Sequence, residues 1–457
     1  MEQTTAKNNK YEIDMCNGTI MDKLISFSLP LMLSGILQLM FNAVDIIVVG
    51  RFSGSQALAA VGSTSALINV FTNLFIGISL GANVLTARFY AAGREKEVSE
   101  TVHTAITLAL VSGIVMALVG LVFSKGALAL MGTPDDVIGL SALYMRIYFL
   151  GMPFFMLYNY GAAILRAVGD TKRPLLFLMI AGVINACLNM VLVIVFKLGV
   201  AGVAIATVIS QMISCVLVLR CLCRSESSYR LRFSELGMKG YYLKQIFSVG
   251  VPAGIQSTVI NFSNVLLQSS VNSFGSTAMA GYTAANNLLG FLYVSVNSIT
   301  QACMSFTSQN YGVGKLKRME RVLADCMILS VVVAVVLGCI CYGFGPEILQ
   351  IYTEDAEVIA CGMEILAYTT ITYFLCGWMD LFPGALRGMG YSAVPMVLSV
   401  IGTVGTRVVW IFGIFPYHRS LAILFISYPA SWIITIILQV VCFYFVRRRV
   451  HRRSQTP

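Results

Sequence analysis

Charge is scarce in this sequence. Of its 457 residues, 11% are Asp, Glu, Lys or Arg and 57% are hydrophobic, and the mean hydropathy is +0.81. No soluble domain stays so apolar over such a length, so the chain is read as a polytopic membrane protein. The signatures of several enzyme classes are missing too: there is no phosphate-cradling glycine loop, no HExxH pair and no large polar region to house a catalytic domain. The 12 cysteines never form a CxxC pair. Cys221 and Cys223, like Cys339 and Cys341, are two apart inside apolar runs, which suits small buried hydrophobes rather than disulfides or metal ligands. His103, His418 and His451, the three histidines, sit at segment ends or in loops and take no assigned role. The net charge of +10 is spread through short loops between apolar runs, which argues against a nucleic-acid partner. No small-residue cleavage site follows the first apolar run, which is therefore expected to stay as a helix.

What is present is a regular alternation. Hydropathy predicts twelve apolar segments near 24–49, 57–85, 102–123, 139–165, 175–196, 201–223, 244–271, 278–307, 322–344, 359–385, 395–415 and 421–446. Of the 31 basic residues, 25 fall in loops on one side, including Lys7, Lys10, Lys172, Arg318 and Arg447. Only Arg51, Lys125, Lys197 and Arg419 fall on the other, while Arg146 and Arg407 lie inside segments. The positive-inside rule then puts both termini in the cytoplasm, with the cell membrane as the location.

The chain also repeats itself. Ile164–Pro174 matches Ala385–Pro395 at an offset of 221, Tyr90 and Gly93 match Tyr311 and Gly314 at the same offset, and Pro30 matches Pro252 at 222. An even number of helices per repeat gives halves related by an axis along the membrane normal. The expected fold is all-α: twelve transmembrane helices in two pseudo-symmetric six-helix bundles. The expected division is a cytoplasmic segment 1–23, a first lobe 24–223, a linker 224–243, a second lobe 244–446 and a basic tail 447–457. Duplicated bundles around a cleft are the architecture of alternating access, and without a nucleotide motif the energy source is expected to be an ion gradient.

The stretch Leu24–Gly50 carries the most unusual chemistry: Pro30, Gln38, Asn42 and Asp45 in one bilayer-length run. An aspartate at membrane depth costs about 2.5–3.5 kcal/mol on insertion scales and calls for a function or a partner. Gln38 and Asp45 are two helical turns apart and share a face, and Pro30 frees a carbonyl and lets the helix bend. The alternative for Asp45 is an acid reaching the outer interface near Gly50 and Arg51. Asn185 and Asn189, four apart, share a face, and Asn159 and Thr207 add further oxygens. Each alone is adequate as polar glue between helices. Together they form a set of oxygen donors around one carboxylate, which suits a monovalent cation or a proton. In the second half Arg407 is the one basic group well inside a segment, with Asp380 or Glu364 as the expected partner of a structural ion pair and drug or ion binding as the alternative.

The runs VDIIVVGRFSGSQALAAVG, LRAVGDTKRP, GVAGVAIATVISQ and the second-half LRGMG resemble the multidrug and toxic compound extrusion (MATE) family over nearly the whole chain. The resemblance implies a twelve-helix drug exporter exchanging substrate for Na⁺ or H⁺. It also implies a first-lobe cation site at Asp45, Gln38, Asn159, Asn185 and Thr207. Asn189 stands where many members have a second aspartate. The seventh segment, where some members carry a coupling glutamate, has no acid and offers instead Gln256, Asn261, Ser263, Asn264 and Gln268. Asp380, with Arg407, Asn261 and Asn264, is a secondary candidate.

The function these features point to is a secondary active antiporter that exports amphipathic, cationic organic compounds. It is expected to act as a monomer in contact with membrane lipid, with no cofactor and no metal beyond Na⁺ at Asp45. The alternative is a flippase of the same superfamily for a lipid-linked precursor, whose cleft would need several basic residues at midplane.

Overall fold

The computed structural model of the chain describes residues 11–455; Lys7, Lys10 and the end of the basic tail, residues 456 and 457, lie outside them. Among the described residues the secondary structure is helical with no strand. This is the form the composition demands, because in hydrocarbon every backbone N–H and C=O must find a partner within its own segment.

The first half contains α1 (Met21–Phe52), α2 (Ser55–Ala91), α3 (Glu95–Leu130), α4 (Asp135–Leu150), α5 (Met152–Ala167), α6 (Lys172–Asn189) and α7 (Gly199–Cys223). The second contains α8 (Gly240–Asn272), α9 (Ser276–Gly312), α10 (Leu316–Gly343), the short α11 (Gly345–Gln350), α12 (Ala356–Thr369), α13 (Tyr373–Gly388), α14 (Ala393–Ser399), α15 (Thr406–Val409) and α16 (Leu421–Gln455). Eight helices are individually long and apolar enough to cross a bilayer, and the bent pairs α4–α5 and α12–α13 add two. With α8 and α9, of 33 and 37 residues, the crossings number twelve, six in each half.

The repeat read from the sequence is written into the backbone. Gly54 and Gly275, Gly93 and Gly314, and Gly169 and Gly390 all have positive φ, each pair at the offset of 221. They turn the chain where a side chain would clash. The bends also match, at 48° between α4 and α5 and 51° between α12 and α13. Their local causes differ. At the first, a Cβ on Gly151 would meet Val208 and Gln211 at 2.8 and 2.9 Å. At the second, Thr369, Thr370 and Thr372 turn their hydroxyls back onto the carbonyls of Ile365, Leu366 and Tyr368 at 2.6–2.8 Å, a bond that competes with the helix ladder.

Two compact units divide the chain. One holds Leu33–Gly254 with the described residues up to Ile13, and the other holds Asp14–Met32 and the residues from Ile255 onward. The division runs through α1 and α8, within three residues of Pro30 and Pro252, rather than through the 224–243 loop. In the first unit the start of α8 lies close against α2, where only glycine fits: a Cβ on Gly77 or Gly254 would strike the opposite backbone. The 224–243 loop is pinned to the same unit. The backbone N–H of Arg232 donates to His103 Nε2 at 3.0 Å, and Tyr229 donates to Glu12 at 2.7 Å. In the second unit the start of α1 packs through an edge-to-face contact of Phe27 with Phe306.

Both six-helix sets break their α ladder in the same place. The last turns of α6 continue as a π turn, Met190–Val195, with the Phe196 N–H bonded to the Val191 carbonyl at 3.0 Å. In the second half, π turns Val400–Gly405 and Trp410–Ile414 bracket α15, with the Phe415 N–H on the Trp410 carbonyl at 2.9 Å. Such turns lie frequently at functional sites.

Candidate functional site

In the first unit α1 and α6 approach closely because Gly182 has no side chain. A Cβ there would overlap the ring of Phe41. One helical turn beyond Phe41 is Asp45, and two turns beyond Gly182 is Asn189, so this contact sets the two polar side chains side by side. Asp45 is 9% exposed and Asn189 fully buried. Asn189 Nδ2 donates to Asp45 Oδ1, and also to Asn185 Oδ1 at 3.1 Å. Thr207 of α7 brings its hydroxyl to 3.5 Å from Asp45 Oδ2. That hydroxyl has one hydrogen, and the Val203 carbonyl is nearer, at 3.0 Å.

The inventory leaves oxygens without hydrogens. Asn189 Oδ1 is buried and has no hydrogen-bond partner. Asp45 Oδ2 has only the long contact to Thr207. A carboxylate beside an unmatched amide oxygen and a hydroxyl oxygen attracts positive charge, whether a proton on Asp45 or a small cation held by the three oxygens. The donor set fits a hard cation. Tyr144 and Tyr148 of α4, one turn apart with stacked rings, act on Asp45 through its charge, and Tyr148 is bonded to Gln211 of α7.

Asp45, Asn185, Asn189 and Thr207 are thus brought together. Gln38 and Asn159 are not. Gln38 is exposed on α1, and Asn159 donates to the Phe155 carbonyl of its own helix at 2.8 Å. Pro30 lies inside a helix that runs unbroken from Met21 to Phe52. Tyr144, Tyr148 and Gln211 were missed by sequence reasoning. Their spacing of four puts the tyrosines on one face, but that signal is common among the 20 tyrosines of the chain.

The second unit holds a correction. Arg407 makes no ion pair with Asp380 or Glu364; its partners are neutral. Nη1 donates to Asn264 Oδ1 at 2.7 Å and to Ser263 Oγ at 3.2 Å, Nε reaches Ser431 Oγ at 3.4 Å, and the guanidinium lies 4.7 Å from the ring centre of Tyr428. The basic group acting on Asp380 is Arg387, which itself donates to Gln256 Oε1 at 2.6 Å. The expected pair failed because spacing along a helix does not say which neighbour its face meets: α15 turns Arg407 toward α8 and α16. Asn261 is exposed on α8.

Comparison with known proteins follows the same twofold pattern. The family model described as MatE matches the chain twice, over residues 30–191 and 252–412, each match beginning at one of the two helix prolines. The probable multidrug resistance protein YoeA of Bacillus subtilis is 32% identical over 434 residues, which is 93% of each protein. The multidrug export protein MepA of Staphylococcus aureus is 22% identical over 382 residues, covering 83% of this chain and 84% of MepA. A multidrug resistance MATE family transporter solved in an outward-facing conformation shares the fold, with a TM-score of 0.88 at 20% identity over 98% of this chain and 100% of that one.

Proposed function

The chain belongs to the MatE family, and from that premise we propose that it exports small amphipathic organic compounds, cationic in the main, in exchange for Na⁺ or H⁺. The observation that carries this reading is the Asp45 carboxylate buried beside the unmatched Asn189 Oδ1. The names of the relatives, a multidrug resistance protein and a multidrug export protein, supply the substrate class. The transporter works as a monomer in the cell membrane with both termini in the cytoplasm, on the side where 25 of the 31 basic residues lie.

In this mechanism the ion neutralises Asp45 between α1, α6 and α7. A proton on Oδ2 would be shared with Thr207 or with Asn189 Oδ1; Na⁺ would draw on the same oxygens. Either occupant removes a bare charge from low dielectric and draws α1 toward α6 and α7. Pro30 is where α1 gives way. The ion must bind the two conformations with different affinity, since equal affinity shifts no equilibrium. The lipid-precursor flippase is the weaker alternative, because Arg407 is the one arginine that the described structure buries within a crossing and holds at hydrogen-bonding distance from a neighbouring helix.

The test is efflux of a fluorescent organic cation from proteoliposomes under imposed Na⁺ or pH gradients. Asp45→Asn should fold and insert but lose gradient-driven export. Undiminished coupled export by the variant would move the site elsewhere.

A further inference from the structure

The guanidinium of Arg407 is 2% exposed and has no carboxylate partner among the described residues. An arginine keeps its charge at any working pH, and a buried charge without a counter-charge is costly. How its five donors are used is informative. Both Nη1 hydrogens are taken, by Asn264 and Ser263. One face of the plane is covered by Tyr428, whose hydroxyl is 3.1 Å from that of Tyr282. What is left is the Nε–Nη2 edge. Nε has one long contact of 3.4 Å, to Ser431, and Nη2 donates to nothing among the described residues. That edge is the two-pronged side that matches the two oxygens of a carboxylate.

The approach to it is polar. Asn261, Asn264 and Gln268 are spaced three and four apart and so line one face of α8. Asn261 and Gln268 are exposed, and between them Asn264 is the acceptor that fixes Arg407. Amides exposed along a membrane helix mark a water-accessible wall rather than a lipid-facing one. The π turns before and after α15 bracket the arginine.

We propose that the second unit carries an anion site centred on Arg407, which takes the carboxylate of an organic substrate on the Nε–Nη2 edge. Ser263, Asn264 and Tyr428 hold the guanidinium in place. The substrate range then includes zwitterionic or acidic amphiphiles as well as cations. This extends the export reading given above, and its test needs no gradient, so it stands or falls separately from ion coupling.

The three tryptophans, Trp378, Trp410 and Trp432, all lie in the second unit, so energy transfer from tryptophan to a dansyl group reports binding there in the purified full-length protein. The probes are dansylglycine and its amide, which differ in the carboxylate alone. The wild type should bind the acid about 10-fold more tightly than the amide, as one charge-assisted forked contact would give. Arg407→Gln should abolish the preference by weakening the acid alone, and Arg407→Lys, which keeps the charge but not the fork, should leave about 2–3-fold of it. Equal binding of the two probes by the wild type overturns the proposal. So does a variant that weakens both probes alike, or one that keeps the full preference. If Arg407→Gln does not fold, Arg407→Lys decides by the same criteria.

Discussion

The two units are built on one scaffold and carry opposite charges. Each has a helix proline, positive-φ glycines at matching turns, a bent pair near 50° and a π turn in its fifth crossing. Yet the offset that pairs Pro30 with Pro252 places Leu267 opposite Asp45, and the 221 offset places Ala186 opposite Arg407. The first unit buries an acid on its first crossing, against amides on its fifth. The second buries a base on its fifth, against an amide and a hydroxyl on its first. The contact between first and fifth crossings has been kept while its polarity has been turned round. Duplication fixes where a buried charge can be tolerated; the residue placed there decides what it attracts.

The largest effect should come from erasing the difference. Asp45→Leu copies what the second unit has at the equivalent place, and gradient-driven efflux in proteoliposomes should fall roughly 100-fold, the upper range of a coupling free energy. Substrate binding without a gradient should persist. Next is the contact that holds the polar pair together. Gly182→Val would push the Phe41 ring away and separate α1 from α6. Overpacking of this kind costs about 1–3 kcal/mol, so thermal unfolding should come earlier and ion-coupled efflux should weaken even though no polar group has changed. Unaltered coupling would show that the close approach does not position Asp45.

How far the site was legible in the sequence follows from these residues. Hydropathy and loop charge were enough for twelve crossings and the repeat, because both depend on composition over long windows. Asn185 and Asn189 were found by their spacing, and the structure joins them to Asp45 and Thr207. Gln38 shares a helical face with Asp45 but stays exposed, and Asn159 is satisfied by its own helix. Periodicity tells which residues share a face; only packing tells what that face meets. The ion pair expected for Arg407 failed for the same reason.

Smaller effects sharpen the contrast in the second unit. Arg407→Ala leaves neutral acceptors unmatched rather than a stranded carboxylate. Its cost to stability should be about 1–3 kcal/mol, below the 3–5 kcal/mol of breaking a buried ion pair. Thermal unfolding followed by tryptophan emission measures this directly, and a loss at the ion-pair level would restore a charged partner for Arg407. The least effect is expected from Gln38→Ala. An exposed side chain with no recorded bond should change stability by less than about 0.5 kcal/mol and leave the ion dependence of efflux where it was. A strong change in Na⁺ or pH dependence would bring α1 into the ion site one turn deeper than its contacts indicate.

The π turn that begins just after Asn189 has a consequence for how this helix may be altered. A π turn holds one residue more than an α turn, a surplus lodged in the hydrogen-bond register. Removing a single residue between Met190 and Val195 would let the ladder close as α-helix. Because each residue turns an α-helix by about 100°, the chain beyond would be rotated by that amount. The rotation would fall on Lys197, the one non-glycine residue with positive φ among those described, at 54°. The segment behaves like a gear with one spare tooth: it tolerates a deletion that would break the phase of an ordinary crossing, and it records the loss as a twist of the loop rather than as a gap in the helix.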